Sequence, residues 1–268
     1  MDPLKIFISA DMEGVTGVID WDETTGPHTD YQYFRKIMTE EVNAAIQGAI
    51  ALGATDIVVR DAHGTARNII PDLLNENARL LRAWSVQPFS MMEGLDSSFD
   101  AVCFVGYHAK AMTSNGTLAH TMSGAILDLR VNGLTLPEFG WNALIAGYYS
   151  VPVIFLSGDE AICQQARELI PEIETVAVKQ GIGEACLNIH PRLAQRKIQE
   201  GVQRAIQQLP AMRPFIVAPP FEIEIDFKKK DRATHAAWYP GAVKKGEFTI
   251  SYTSDDFLDC LRFFHFVH

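Results

Sequence analysis

No apolar run in this sequence approaches the roughly 18 residues needed to cross a bilayer. The opening Met1-Asp2-Pro3 leads straight into Leu4-Lys5-Ile6-Phe7-Ile8, with no basic segment ahead of a long apolar one. Neither a membrane span nor a signal peptide is therefore expected, which makes a cytoplasmic protein the default. Cysteine is sparse: Cys103, Cys163, Cys186 and Cys260 are scattered, none belongs to a C-x-x-C pair, and Cys103 lies in an apolar stretch. That argues against a disulfide scaffold and fits a reducing compartment. Positive charge is scarce, with 23 Lys plus Arg against 33 Asp plus Glu and a formal net charge of -10. Such a chain has no electrostatic footprint for nucleic acid or an anionic membrane. Several catalytic signatures are missing too: there is no H-E-x-x-H, no G-x-S-x-G and no G-x-x-x-x-G-K-[ST]. Gly181-Ile182-Gly183-Glu184-Ala185-Cys186 half-matches a dinucleotide loop. No internal repeat and no low-complexity segment occurs.

What is present is an ordinary globular composition, 47% hydrophobic and 21% charged over 268 residues, enough for one large domain or two modest ones. Leu4 to Ala10, Thr55 to Arg60, Asp100 to Tyr107 and Val151 to Ser157 are short apolar runs that suit buried strands. Between them, Asp30 to Leu52 has helical spacing, with Thr29 or Asp30 able to cap its start and Gly53 its end. A further helix is expected from Asp159 to Leu169. This alternation predicts an α/β fold, with a mainly parallel central sheet and flanking helices. Asn132-Gly133 between alternating residues predicts a hairpin over Ile126 to Pro137, projecting beyond the sheet next to a helix starting near Glu138. Pro191 to Leu209 reads as helix, Pro210 to Pro220 as a connector, Glu222 to Phe227 and Glu247 to Tyr252 as strands, and Ser254 to Phe264 as helix. We expect a core over residues 1-184 and a smaller C-terminal α+β portion over 185-268 packed on it, or one domain in all.

The polar residues fall where strands end. Asp11 and Glu13 follow the first strand, Asp61 and His63 the second, and His108 the one ending near Tyr107. In open α/β sheets ligands bind outside the carboxyl ends of the strands, so these residues are expected to meet in one cleft. They are carboxylates and imidazoles, the groups that bind zinc and similar divalent metals. Asp11-Met12-Glu13-Gly14 puts two carboxylates at i, i+2, where a cation would offset the loss of solvation. The same pattern also serves as a solvated turn. Asp61-Ala62-His63-Gly64 repeats the spacing, and Asp61 is a candidate to hold the far ring nitrogen of His63 or to position its loop. His120 lies beyond a flexible loop, Thr113 to Thr117, and reads as a ligand or a core histidine. Glu138 in the first turn of a helix is by itself an ordinary dipole partner, and Asp159 an ordinary cap.

Taken in order, longer segments carry more. They are Ser9-Ala10-Asp11-Met12-Glu13-Gly14, Met38-Thr39-Glu40-Glu41-Val42-Asn43, Asp61-Ala62-His63 and Pro88-Phe89-Ser90-Met91-Met92-Glu93-Gly94-Leu95. Then come Gly106-Tyr107-His108-Ala109, His120-Thr121-Met122, Glu138-Phe139-Gly140-Trp141-Asn142-Ala143 and Ala146-Gly147-Tyr148-Tyr149. This series resembles the M55 peptidase family, the D-aminopeptidases of DppA type, over at least residues 4 to 180, with a looser match in the last third. The resemblance implies a dinuclear zinc aminopeptidase, with two Zn2+ per chain held by Asp11, Glu13, His63, His108 and Glu138, and with Asp11 bridging. It implies that His120 is the catalytic histidine, that the chain forms a homodecamer, and that the substrates are short peptides with an N-terminal D-residue such as D-Ala-D-Ala. Arg60, Ala62 and the loop Ala111 to Leu118 depart from the DppA-type pattern, which leaves the preferred peptide open. Two rivals share the ligands: a metal-dependent hydrolase of another amide, ester or phosphate, and a zinc-binding assembly protein without turnover.

Overall fold

The computed structural model describes residues 3-268. Strand β1 (Leu4–Ala10) is followed by helix α1 (Thr29–Ala51), β2 (Ala54–Asp61), β3 (Ala78–Leu81) and β4 (Ala101–Tyr107). Next come the hairpin β5 (Ile126–Val131) and β6 (Leu134–Thr135), α2 (Glu138–Tyr148), β7 (Val153–Asp159), α3 (Glu160–Leu169), β8 (Glu174–Ile182) and β9 (Ala185–Asn188). The chain closes with α4 (Pro191–Gln208), β10 (Phe221–Phe227), α5 (Lys230–Ala236), β11 (Val243–Lys244), β12 (Thr249–Ser254) and α6 (Phe257–Val267).

Seven strands form the main sheet in the order β3-β2-β1-β4-β7-β8-β9. All neighbours run parallel except β8 and β9. The α/β expectation holds for the reason the sequence suggests. Ile6 to Ala10 and all of β4 and β7 are buried, as strands covered on both faces must be. Helices α1 and α4 pack on each other and on the sheet, while α2 and α3 do the same elsewhere. Helix α1 buries Ile37, Met38, Val42, Ala45, Ile46 and Ala49 at the expected spacing. Its cap differs from expectation: His28 is the N-cap and makes no side-chain cap bond. Gly53, at φ 92°, ends it as expected.

The smaller sheet is antiparallel, in the order β11-β12-β10-β5-β6. The expected hairpin turn is there, with Asn132 at φ 50° and Gly133 at φ 77°, as the right-handed twist of its strands requires. It does not merely project beyond the main sheet, because β5 pairs with β10, almost a hundred residues on. The position near residue 185 falls in the β8–β9 turn of the main sheet, and the small sheet takes strands from both sides of it. Gly181 to Cys186 is that hairpin turn, not a nucleotide loop. The arrangement leaves the carboxyl ends of β1, β2 and β4 side by side, with the start of α2 nearby.

Candidate metal centre

Each candidate side chain is set by a short stretch at a strand exit. Asp11 follows β1 directly, and its N–H donates to the Val105 carbonyl of β4 at 2.8 Å. Gly14 N–H donates to the Gly106 carbonyl at 2.8 Å, pinning the turn against the neighbouring strand. The approach is so close that a Cβ on Gly14 would lie 1.7 Å from the Tyr107 oxygen. Asp61 ends β2 and accepts from Asn68 N at 2.6 Å, Asn68 Nδ2 at 2.8 Å and Ile69 N at 2.8 Å. It therefore shapes the loop that carries His63 and leaves the ring of His63 to another partner. His108 follows β4, where the Ala109 N–H donates to Asp159 at 3.1 Å. Asp159 also caps α3 through Ile162 N, the role expected of it.

These groups converge. Asp11 Oδ1 lies 3.3 Å from His63 Nδ1, and Glu13 Oε2 lies 2.9 Å from the same nitrogen. The other Asp11 oxygen, Oδ2, lies 3.5 Å from His108 Nε2, which is 3.4 Å from Glu138 Oε1. His120 Nε2 is also 3.4 Å from Glu138 Oε1, and its ring stacks on His108 at 4.1 Å between centroids and 9° between planes. Two clusters of potential ligands result, Asp11 with Glu13 and His63, and Glu138 with His108 and His120. Asp11 reaches both. All five expected ligands are buried, and His120 is nearly so, with 15% of its side chain exposed.

The donor set fits a pair of cations. The far nitrogen of each histidine faces a carbonyl oxygen at 2.9 Å: His63 Nε2 that of Thr24, His108 Nδ1 that of Ala109, and His120 Nδ1 that of Leu118. Those nitrogens must donate, so in neutral rings the lone pairs on the other nitrogens face the carboxylates. Two electron-rich atoms at such distances need a proton or a cation between them. Two ligands on one tetrahedral zinc, each roughly 2.1 Å from it, stand roughly 3.4 Å apart, close to the spacings just given. Asp11 Oδ2 and His108 Nε2 are buried without any hydrogen-bond partner.

The electrostatics of the bare protein show the same demand. Burial and then the charge of Glu13 push Asp11 from 3.8 up to about 7. Burial pulls His108 down, but Glu138 and Asp11 outweigh it and lift the ring from 6.5 to about 10. His63 is lifted well above its ordinary value by Glu13 and Asp11 against the pull of burial. Burial raises Glu13 and Glu138, and the facing histidines overcome it, so both end low. Burial and then His108 depress His120. Three buried carboxylates thus recruit protons onto the imidazoles wherever no other cation neutralises them.

The supporting residues leave little trace in the sequence. A single 3-10 turn, Trp21–Glu23, is held by reciprocal bonds between Asp20 and Glu23. Its Trp21 packs edge-on against His120, with ring centroids 5.2 Å apart, and Thr24, just beyond, supplies the carbonyl that holds His63. Lys179 of β8 is buried and donates to the carbonyls of Glu13 and Val18. Arg60 is fully buried and lies 4.3 Å from the Trp84 ring, while Trp84 Nε1 donates to the Gly64 carbonyl at 2.8 Å. A backbone carbonyl carries no sequence signal, and Lys179 sits among alternating residues like any edge-strand lysine. The clusters open into a cavity of about 510 Å³ whose walls include Trp21, Trp84, Glu93, Met122 and His268.

Residues 4–266 match the M55 peptidase family, described as D-aminopeptidase. A D-aminopeptidase of Bacillus subtilis (strain 168) is 35% identical over 261 residues, covering 97% of this chain and 94% of the relative. Among solved structures, the chain is similar to "Zn-dependent D-aminopeptidase DppA from Bacillus subtilis, a self-compartmentalizing protease", with a TM-score of 0.95 and 33% identity over 98% of this chain and 96% of that one.

Proposed function

The chain belongs to the M55 family of D-aminopeptidases, and from that premise we propose that it is a dinuclear zinc aminopeptidase that removes an N-terminal D-residue from short peptides such as D-Ala-D-Ala. One observation carries the two-metal reading: the two oxygens of Asp11 face different histidines, at 3.3 and 3.5 Å, in two separate ligand clusters. Asp11, Glu13 and His63 would hold one ion, and Asp11, His108 and Glu138 the other. When bound, such a pair supplies Lewis acidity toward the scissile carbonyl and acidifies a water.

The protein supplies the rest. We assign His120 the part of a proton carrier and not of a sixth ligand. Its ring lies parallel to that of His108, so the two lone pairs leave in parallel planes and do not converge on one ion. Its Nδ1 is tied to the Leu118 carbonyl, which leaves Nε2 to exchange a proton with the attacking water or the departing amine. The low affinity of this ring for a proton, caused by burial and by His108, suits a group that is neutral at rest. Trp21 holds the ring from the side. Of the cavity's carboxylates, Glu93 is the one not assigned to metal, and it is the group available to a free α-ammonium. The description of the DppA relative as self-compartmentalizing, together with the outward-facing Trp238 and Phe266, supports a homo-oligomer.

The test is direct. Metal analysis of the purified chain is expected to give two zinc ions per polypeptide, and the zinc-loaded protein is expected to release alanine from D-Ala-D-Ala far faster than from L-Ala-L-Ala. Zinc without turnover on a panel of D- and L-aminoacyl substrates would favour the assembly-protein reading. Cleavage of a phosphodiester or ester in preference would favour a different hydrolase.

A further inference from the structure

Beside the metal cavity lies a second cleft, of about 490 Å³, that shares Thr24, Thr25, His63 and Gly64 with it as common walls. The two differ in their charged side chains. The first is lined by four carboxylates, Asp11, Glu13, Glu93 and Glu138. The second has no carboxylate in its lining and three arginines, Arg35, Arg67 and Arg82, with the hydroxyls of Thr65 and Tyr31 among them.

The arginines are also differently engaged. Arg35 is a fixed part of the floor: its Nε donates to the Asn68 carbonyl at 2.7 Å and its Nη2 to the Arg67 carbonyl at 3.4 Å. Its bonds go to neutral partners, so its charge is not cancelled. Arg67 and Arg82 are exposed, and among the described residues neither has a carboxylate partner. Guanidinium is the side chain best matched to a carboxylate, through paired N–H donors in a planar fork.

We propose that this cleft binds the C-terminal carboxylate of the substrate, with Arg67 and Arg82 as the contacts and Arg35 adding field from below. The inference rests on the peptidase reading and deepens it. The metal cavity takes the amino end beside Glu93, the metal ligands flank the bond to be cut, and the basic cleft takes the free carboxyl end. A peptide residue spans only about 3.3–3.6 Å even when extended, so a basic cleft adjoining the metal cavity selects peptides short enough to place both termini at once. The substrate class is therefore the short zwitterionic peptide, and an amidated or extended C-terminus forfeits the second contact.

Binding of non-cleavable analogues tests this independently of turnover. The full-length, zinc-loaded protein is titrated calorimetrically with the aminomethylene analogue of D-Ala-D-Ala and with the same analogue bearing a C-terminal amide. The acid is expected to bind about ten-fold more tightly, the size of one charge-assisted contact. Arg67→Ala and Arg82→Ala are each expected to pull that ratio toward one, with Arg82→Lys keeping part of it; zinc content serves as the check on folding. Equal affinities in the parent protein, no binding of the acid, or a preference that survives both alanine variants would overturn the proposal. Hydrolysis of D-Ala-D-Ala and of a panel of D- and L-aminoacyl peptides is followed in parallel: no cleavage of any, with the acid preference intact, removes the peptidase reading and leaves the carboxylate contact assigned.

Discussion

Asp11 is the residue on which both ligand clusters depend. Exchanging it for asparagine keeps its size but replaces one anionic oxygen with a donor, so Asp11→Asn is expected to lose zinc from both positions together with activity. Metal analysis after gel filtration checks this, and two retained ions per chain would exclude a bridging role. His120 differs in kind. His120→Ala is expected to retain both ions while turnover falls about 10²-fold or more, the usual size of an acid–base contribution; loss of one ion instead would make it a ligand. These two residues were legible in the sequence because each follows a strand or a distinctive loop, and the family resemblance supplied their roles. Trp21, Thr24 and Lys179 were not. Thr24 acts through its carbonyl, which any residue possesses, and Lys179 acts across more than 150 residues of chain. Asp61 was read as one of two things, and its bonds to Asn68 and Ile69 choose the loop-shaping one.

The strand exits work as elements only because their backbones nearly touch. Gly14 has no room for a methyl group beside the Tyr107 carbonyl, and Gly106, at φ 74°, has none beside the Asp11 carbonyl at 2.3 Å. Gly14→Ala must therefore part β1 from β4 at the point where Asp11 and His108 leave them. An overpacking cost of about 1–3 kcal/mol is expected, seen as a lower Tm, with reduced zinc content but near-normal far-ultraviolet circular dichroism. A variant with full zinc content and unchanged Tm would show that the turn yields more easily than this packing implies. Strands β1, β4 and β7 were readable because a parallel strand covered on both faces is mostly apolar, and β2 from its Ile57-Val58-Val59 centre. β3 and β9, four residues each at the sheet edges, have half-exposed patterns that resemble loop. The hairpin turn was readable from two residues and β10 from its alternation, but their pairing was not, since β10 meets β5 through contacts that no local pattern encodes.

For the molecule as a whole, the centre links stability to pH and metal. Without metal, Asp11 titrates at about 7 instead of 3.8 and His108 at about 10 instead of 6.5. Both hold protons more tightly folded than unfolded, so the stability they contribute is complete below their unfolded values. It is lost as pH rises, through about 7 for Asp11 and about 10 for His108. Zinc takes deprotonated ligands and gains over the same interval. A chelator is therefore expected to lower Tm more at about pH 8.5 than at about pH 6.5, measured by calorimetry in matched buffers; a gap that narrows with pH would contradict the charge balance described. Chain-wide organisation was the least legible scale. The small sheet recruits residues from 126 to 254 around an intervening stretch of the main sheet, and α4 returns to α1, so order along the chain is a poor guide to neighbourhood.

The brief turn from Asp20 to Thr24 acts as a keystone. It belongs to neither sheet, yet one end leans on His120 and the other grips His63. If heat, denaturant or a protease lifts this span first, His63 and His120 lose their supports in one event, while the sheet beneath still stands.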